Sequence, residues 1–224
     1  MTAVLLDALG TLVELQPPAP RLRARLAEAG FDVSEERAAA GFGAEIRYYL
    51  ANHLDGSDRS SLEGLRDRCA SVMIEALDLD GLDHATARRA MLAALEFRPY
   101  DDVVPALSGL RGAGHRLVIV SNWDCSLPEW LGPPGLLELV DGVVTSADVG
   151  AAKPDERIFR RALELAGVAP EEAIHVGDSV DNDVAGARAV GIRPVLLHRS
   201  GDPPAGVESI RSLRELPTLL VSLP

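Results

Sequence analysis

Apolar residues are distributed in two different ways along this chain. Short runs rich in valine, isoleucine and leucine stand at 3–6, 116–120, 142–145, 173–176 and 193–197. Each is of strand length and nearly continuous in its apolar character, the pattern of buried parallel strands, and most are separated by helix-length segments. The first gap differs. Residues 16–98 contain no such run and read as successive amphipathic helices. One opens at Pro20 after "PPAP" and closes at Gly30; the next starts at Ser34 with Glu35 and Glu36 in its first turn; two more follow Asp58 and Asp83. These are ordinary helix start and stop signals.

Alternating strands and helices predict an α/β fold. Its core comprises residues 1–15 and 99–224, interrupted by an all-helical unit at 16–98. A structureless loop of that length inside a compact domain is implausible, whereas an inserted helical domain is not.

Composition narrows the function classes. The chain has 224 residues, 47% apolar and 25% charged, with a net charge of -12. Such an excess of acid speaks against a nucleic acid partner, because phosphate backbones are bound by clustered Lys and Arg. Two cysteines, Cys69 and Cys125, are too few for a disulfide framework. The first apolar run lacks a basic leader and is far too short for a signal or membrane segment. The expectation is a cytoplasmic protein, monomer or homodimer, acting on a small molecule away from any membrane.

In an open parallel sheet, ligands bind beyond the carboxyl ends of the strands. The residues found there are Asp7 with Gly10 and Thr11, Ser121 with Asn122, and Asp178 and Asp183 within "HVGDSVDND"; Lys153 follows the third strand. A carboxylate, a hydroxyl, an ammonium and an acidic pair thus come to one edge. Lys153 is also the single lysine among the 22 basic residues. A chain that uses arginine elsewhere places here a compact point charge able to reach one oxygen.

The segments "DALGTL", "VIVSN", "AKPDERIF" and "HVGDSVDNDVAGARAVGI" resemble, in order and spacing, the four motifs of the haloacid dehalogenase superfamily, in its branch with a helical cap after the first motif. The resemblance covers nearly the whole chain. It implies a Rossmann-like parallel sheet with helices on both faces and an inserted all-helical cap. It also implies that Asp7 is a nucleophile forming a covalent aspartyl intermediate, with Ser121 bonding the transferring group and Lys153 neutralising it. Mg2+ would be bound by Asp7, the Leu9 carbonyl and Asp178, with Asp183 supporting metal and lysine. Gly10, Thr11 and Asn122 would complete the binding of a small phosphorylated metabolite. Backbone amides in such turns suit phosphate oxygens, and Mg2+ suits an oxygen site short of positive charge.

The departure is Leu9. Phosphatases of this family usually carry a second Asp there, which protonates the leaving oxygen and later activates water. Leucine can do neither, and general acid-base help is worth about 10² to 10⁴ in rate. The leading expectation is therefore a Mg2+-dependent phosphatase or phosphotransferase that is weak or restricted to good leaving groups. A catalytically impaired homologue that binds a phosphorylated ligand or a protein is a second reading. A third is a 2-haloacid dehalogenase, whose first motif "DALGTL" approaches, although a halide leaving group gives an acidic pair no work. Asp181 is expected to be solvated and Trp123 to pack. In the helical unit, Glu45, Tyr49 and His53 share one helix face. That face is expected to be solvated or inter-helical, with substrate choice and a base role for His53 as the sharper alternative.

Overall fold

The structure, a computed structural model, describes residues 2–221. The chain divides into two compact units, Met1–Glu14 with Pro99–Pro224, and Leu15–Arg98. The first contains a parallel six-stranded sheet of β1 (Ala3–Leu6), β4 (Arg116–Ser121), β5 (Gly142–Thr145), β6 (Ala173–Gly177), β7 (Arg193–Leu197) and β8 (Ser209–Ile210), in the order β5-β4-β1-β6-β7-β8. Two further short strands, β2 (Val13–Leu15) and β3 (Phe97–Pro99), pair with each other. The five long apolar runs are all strands. The short strands β2, β3 and β8 lack a run of their own and depend on the pairing partner that the fold supplies.

Both faces of the sheet are buried, which is why its strands show no polar alternation. Ala3, Leu5, Val118 and Val120 pack with Ile158, Phe159, Ala162 and Ala187 in one cluster. The intervening Val4, Leu6, Leu117 and Ile119 are equally inaccessible. Helices of this unit are α5 (Val103–Gly112), α6 (Leu127–Leu131), α7 (Ser146–Val149), α8 (Glu156–Ala166), α9 (Ala185–Ala189) and α10 (Leu216–Val221). The chain enters α9 through a π-helical turn, Val180–Val184. A π turn brings its side chains round differently from an α turn, and such turns are found at functional sites.

The second unit packs α1 (Pro18–Glu28), α2 (Glu35–Asn52), α3 (Arg59–Leu77) and α4 (His84–Ala94) around Leu22, Leu26, Phe42, Met73, Leu77 and Met91. Ser34, Asp58 and Asp83 are N-caps, accepting from the backbone N–H of Arg37, Ser61 and Thr86 at 3.2, 2.8 and 2.9 Å. The first helix starts at Pro18, earlier than its expected start at Pro20. Proline is tolerated in a first turn because its missing N–H would have no partner there. No helix among the described residues is long and apolar enough to cross a membrane.

Glu45 and His53 are buried rather than solvated. His53 Nδ1 lies 3.0 Å from the Leu50 carbonyl, its ring centroid is 6.0 Å from that of Tyr49, and its Nε2 has no partner. Burial pushes the Glu45 carboxyl up to about 7, against a smaller opposing effect of a hydrogen bond with Cys69 on α3. The folded state therefore keeps a proton that the unfolded chain releases between about pH 4.5 and 7, so this residue lowers stability as pH rises through that window. Glu45→Gln is expected to remove that slope, raising stability at pH 8 by about 3 kcal/mol and leaving it unchanged at pH 4. Urea midpoints at the two pH values read the result; equal pH slopes in both proteins would show a solvated carboxylate.

Candidate active site

The strand order sets the site. From β1 the sheet grows outward through β4 and β5, then returns to the other side of β1 for β6 and β7. The reversal leaves a crevice at the carboxyl ends of β4, β1 and β6. In register, Leu6 pairs with Ile119 on one side and Val176 on the other. Asp7 follows Leu6, Ser121 ends β4 and Asp178 follows β6. The Asp7 N–H continues the ladder for one more bond, to the Val176 carbonyl at 2.9 Å.

Lys153 binds the site together. Its Nζ is 2.6 Å from Asp7 Oδ1 and 2.6 Å from Asp183 Oδ1, with all three side chains buried. Ser121 Oγ donates to the same Asp7 Oδ1 at 3.2 Å. Asn122 meets the Lys153 backbone twice: its Oδ1 accepts from the Lys153 N–H at 2.7 Å and its Nδ2 donates to the Lys153 carbonyl at 3.1 Å. The amide fixes the lysine backbone, so Asn122 positions Lys153.

Asp183 is engaged on both oxygens. Oδ1 faces Lys153 Nζ and also His175 Nε2 at 2.9 Å, and Oδ2 accepts from the Ser179 N–H at 3.0 Å. A Cβ at Gly177 would stand 2.2 Å from Asp183 Cγ, so a glycine there is what admits the carboxylate. His175 is wholly buried on β6, its ring edge-on to Phe159 and its Nδ1 without a partner. The ring thus meets Asp183 through Nε2 alone. His175 carries no local sequence signal because it lies inside an apolar strand run, where a side chain's partner is set by its neighbours in space.

Burial raises Asp7, and the negative Asp183 adds to this, while Lys153 pulls the other way without cancelling it. Burial acts on Asp183 too, but Lys153 and His175 outweigh it and hold the group below the usual carboxylate range. For Lys153 the order is the same: burial opposes the charge, and Asp7 and Asp183 more than restore it. Removing the ammonium would leave two buried carboxylates uncompensated. Lys153→Met in metal-free buffer is expected to cost about 3 to 5 kcal/mol, read as a fall in the urea midpoint. An unchanged midpoint would mean that water already screens the pair.

Asp178 completes an acidic trio. Asp7, Asp178 and Asp183 each offer a carboxylate oxygen within 4.8 Å of the others, the one cluster of metal-ligating side chains found among the described residues. The Asp178 residue is exposed, yet partial desolvation of its carboxyl, then the charges of Asp7 and Asp183, push it up to about 6. Three carboxylates against one ammonium leave an excess of two negative charges. Ligands about 2.1 Å from one hard cation are at most about 4.2 Å apart, so this all-oxygen set fits such an ion after small side-chain shifts. Gly10, at φ +83°, lies against Asp178: a Cβ there would be 2.1 Å from Asp178 Oδ2. Thr11 is fully buried with its hydroxyl unpartnered, whereas the Leu9 side chain is 41% exposed.

The sequence profile of the haloacid dehalogenase-like hydrolases matches residues 1–191. The chain belongs to this family. Haloacid dehalogenase-like hydrolase domain-containing protein 3 of Homo sapiens is 33% identical over 202 residues, 85% of this chain and 79% of that protein. The chain spans about half the length of other curated relatives it matches, 47% of the Bos taurus counterpart at 43% identity over 120 residues, or 53% of this chain. A phosphoserine phosphatase of Thermus thermophilus is 38% identical over 156 residues, 65% of this chain and 62% of that protein. Among solved structures, a haloacid dehalogenase-family phosphatase from Thermococcus onnurineus aligns over 98% of both chains at 31% identity and a TM-score of 0.66. A 2-haloacid dehalogenase from Pseudomonas syringae shares the fold, with a TM-score of 0.70 at 23% identity over 99% of this chain and 98% of that one.

Proposed function

We propose that this hydrolase is a Mg2+-dependent phosphatase or phosphotransferase that works through an aspartyl phosphate on Asp7 and acts on a small phosphorylated metabolite with a good leaving group. The observation that carries the reading is the buried contact of Lys153 and Ser121 with Asp7 Oδ1, beside the acidic trio. The phosphatase names of the Thermus and Thermococcus relatives support the same reaction class.

Asp7 is held in one rotamer by two donors on one oxygen. One of its carboxylate oxygens attacks phosphorus, and the bond from phosphorus to the leaving oxygen breaks with its electron pair. Water then attacks the phosphorus of the acyl phosphate, releasing inorganic phosphate and restoring the carboxylate. Ser121 and Lys153, which already converge on this carboxylate, are the donors placed to meet the equatorial oxygens. The carboxylates of Asp7, Asp178 and Asp183 and the carbonyl of Leu9 would hold Mg2+, whose charge would offset the repulsion between carboxylate and phosphate dianion. Leu9 offers no proton to the departing oxygen. That restricts efficient turnover to groups that leave as stable anions, such as acyl phosphates and aryl phosphates.

The test is a panel of alkyl, aryl and acyl phosphates and 2-haloacids, each with Mg2+ and with a chelator. Chelator-sensitive phosphate release from the acyl and aryl members is the expected result. Metal-independent halide release would establish a dehalogenase instead, and binding of phosphate without turnover of any member would establish a binding protein.

A further inference from the structure

The loop that carries Asp7 is tied down from outside by one arginine. Within the loop, the Ala8 carbonyl accepts from the N–H groups of Thr11, Leu12 and Val13 at 3.3, 2.8 and 2.9 Å, and the Gly10 N–H reaches the Val13 carbonyl at 2.8 Å. These bonds close the turn on itself and leave the carbonyls of Thr11 and Leu12 pointing outward from it. Leu12 accepts from the Tyr100 N–H at 3.2 Å. Thr11 accepts from Arg199 Nη2 at 2.7 Å.

Arg199 stands just past the end of β7, 188 positions from Thr11 in the chain. Its guanidinium is fixed on two more sides. Nη1 and Nη2 pair with Asp102 Oδ2 and Oδ1 at 3.0 and 3.1 Å, and the Cζ lies 3.8 Å from the centre of the Tyr100 ring. Asp102 is itself buried, and its Oδ2 also accepts from Ser212 Oγ at 2.8 Å and the Leu213 N–H at 2.9 Å. A planar fork can meet a carboxylate with two N–H groups and still aim another at a carbonyl; an ammonium on a flexible stem cannot hold all three directions. Arg199 thus joins the start of α5, the C-terminal segment and the nucleophile loop at one rigid point.

We infer that Arg199 is a positioning residue for the reaction: through the Thr11 carbonyl it sets the turn that places Asp7 and Gly10 against Asp178. The inference rests on the phosphatase reading for its kinetic consequence and on the hydrogen bonds alone for its structural one. Misplacement of a reacting group by about 1 Å can cost about 10²-fold in rate. Arg199→Ala is therefore expected to lower kcat on an acyl or aryl phosphate by about 10- to 100-fold with KM within about threefold of wild type, because Arg199 acts on the loop and leaves substrate contacts to others. Millimolar guanidinium should restore part of that kcat, and methylammonium should not.

A second readout needs no turnover. Amide hydrogen exchange at residues 10–13 should accelerate in Arg199→Ala while β4 and β6 keep their protection. Should that variant fail to fold, Arg199→Lys keeps a cation against Asp102 and is expected to show the same kcat loss and the same local exchange. Wild-type kcat in both variants, or unchanged exchange at 10–13, would overturn the inference. If the wild type itself releases no phosphate from any substrate, the phosphatase reading fails, and the exchange result alone decides whether Arg199 holds the loop.

Discussion

Asp7→Asn is expected to abolish turnover, lowering phosphate release from acyl and aryl phosphates on the order of 10⁴-fold or more. An amide oxygen of the same shape still accepts from Ser121 and Lys153, so the local geometry survives while the nucleophile does not. Intact mass spectrometry separates the step from mere binding: the wild type should gain one phosphoryl group during turnover of an acyl phosphate, and the variant should gain none. Stability should move in the opposite direction. Burial disfavours the Asp7 charge in the metal-free site, so replacing it with a neutral isostere should raise the metal-free urea midpoint. Residual activity above about one per cent of wild type, far more than loss of an essential nucleophile leaves, would mean that water attacks the substrate directly and Asp7 serves another purpose.

Leu9→Asp carries the second large effect, and with the opposite sign. The Leu9 side chain is 41% exposed, so a carboxylate can be placed there without burying a new charge. For alkyl phosphates, whose leaving oxygen needs a proton, kcat/KM is expected to rise by about 10² to 10⁴. For acyl and aryl phosphates the leaving group departs as a stable anion, and kcat/KM should stay within a few-fold of wild type. The comparison is made on kcat/KM because it reports events up to the first irreversible step and so isolates departure of the leaving group from later hydrolysis of the aspartyl phosphate. Equal gains on both substrate classes would remove the leaving-group explanation of Leu9. No gain on either would show that another group already supplies the proton.

Much of the candidate site was legible because family-like signals coincide with strand ends. Asp7, Ser121, Lys153, Asp178 and Asp183 were each marked by their place after an apolar run or within a motif, and the structure brings Asp7, Ser121, Lys153 and Asp183 into hydrogen-bond contact. Asn122 was legible as a residue of interest but not in its task, since nothing in "VIVSN" reveals that its amide will clasp the backbone of Lys153. His175 was hidden inside a run that reads as a buried strand. Glu45 and His53 looked like one polar helix face, and their burial depends on what packs over that face.

By itself the sequence determined the alternation of strands and helices, the helical insertion with its caps at Ser34, Asp58 and Asp83, and the identity of the chemical groups at the strand ends. It could do so because periodicity, capping and turn chemistry are local, set by residues a few positions apart. Tertiary structure alone decided the order β5-β4-β1-β6-β7-β8 and, with it, which distant groups meet. The contact of Arg199 with Thr11, of Asp102 with Arg199 and of His175 with Asp183 follow from that order, because a hydrogen bond is made between neighbours in space and leaves no periodic trace along the chain.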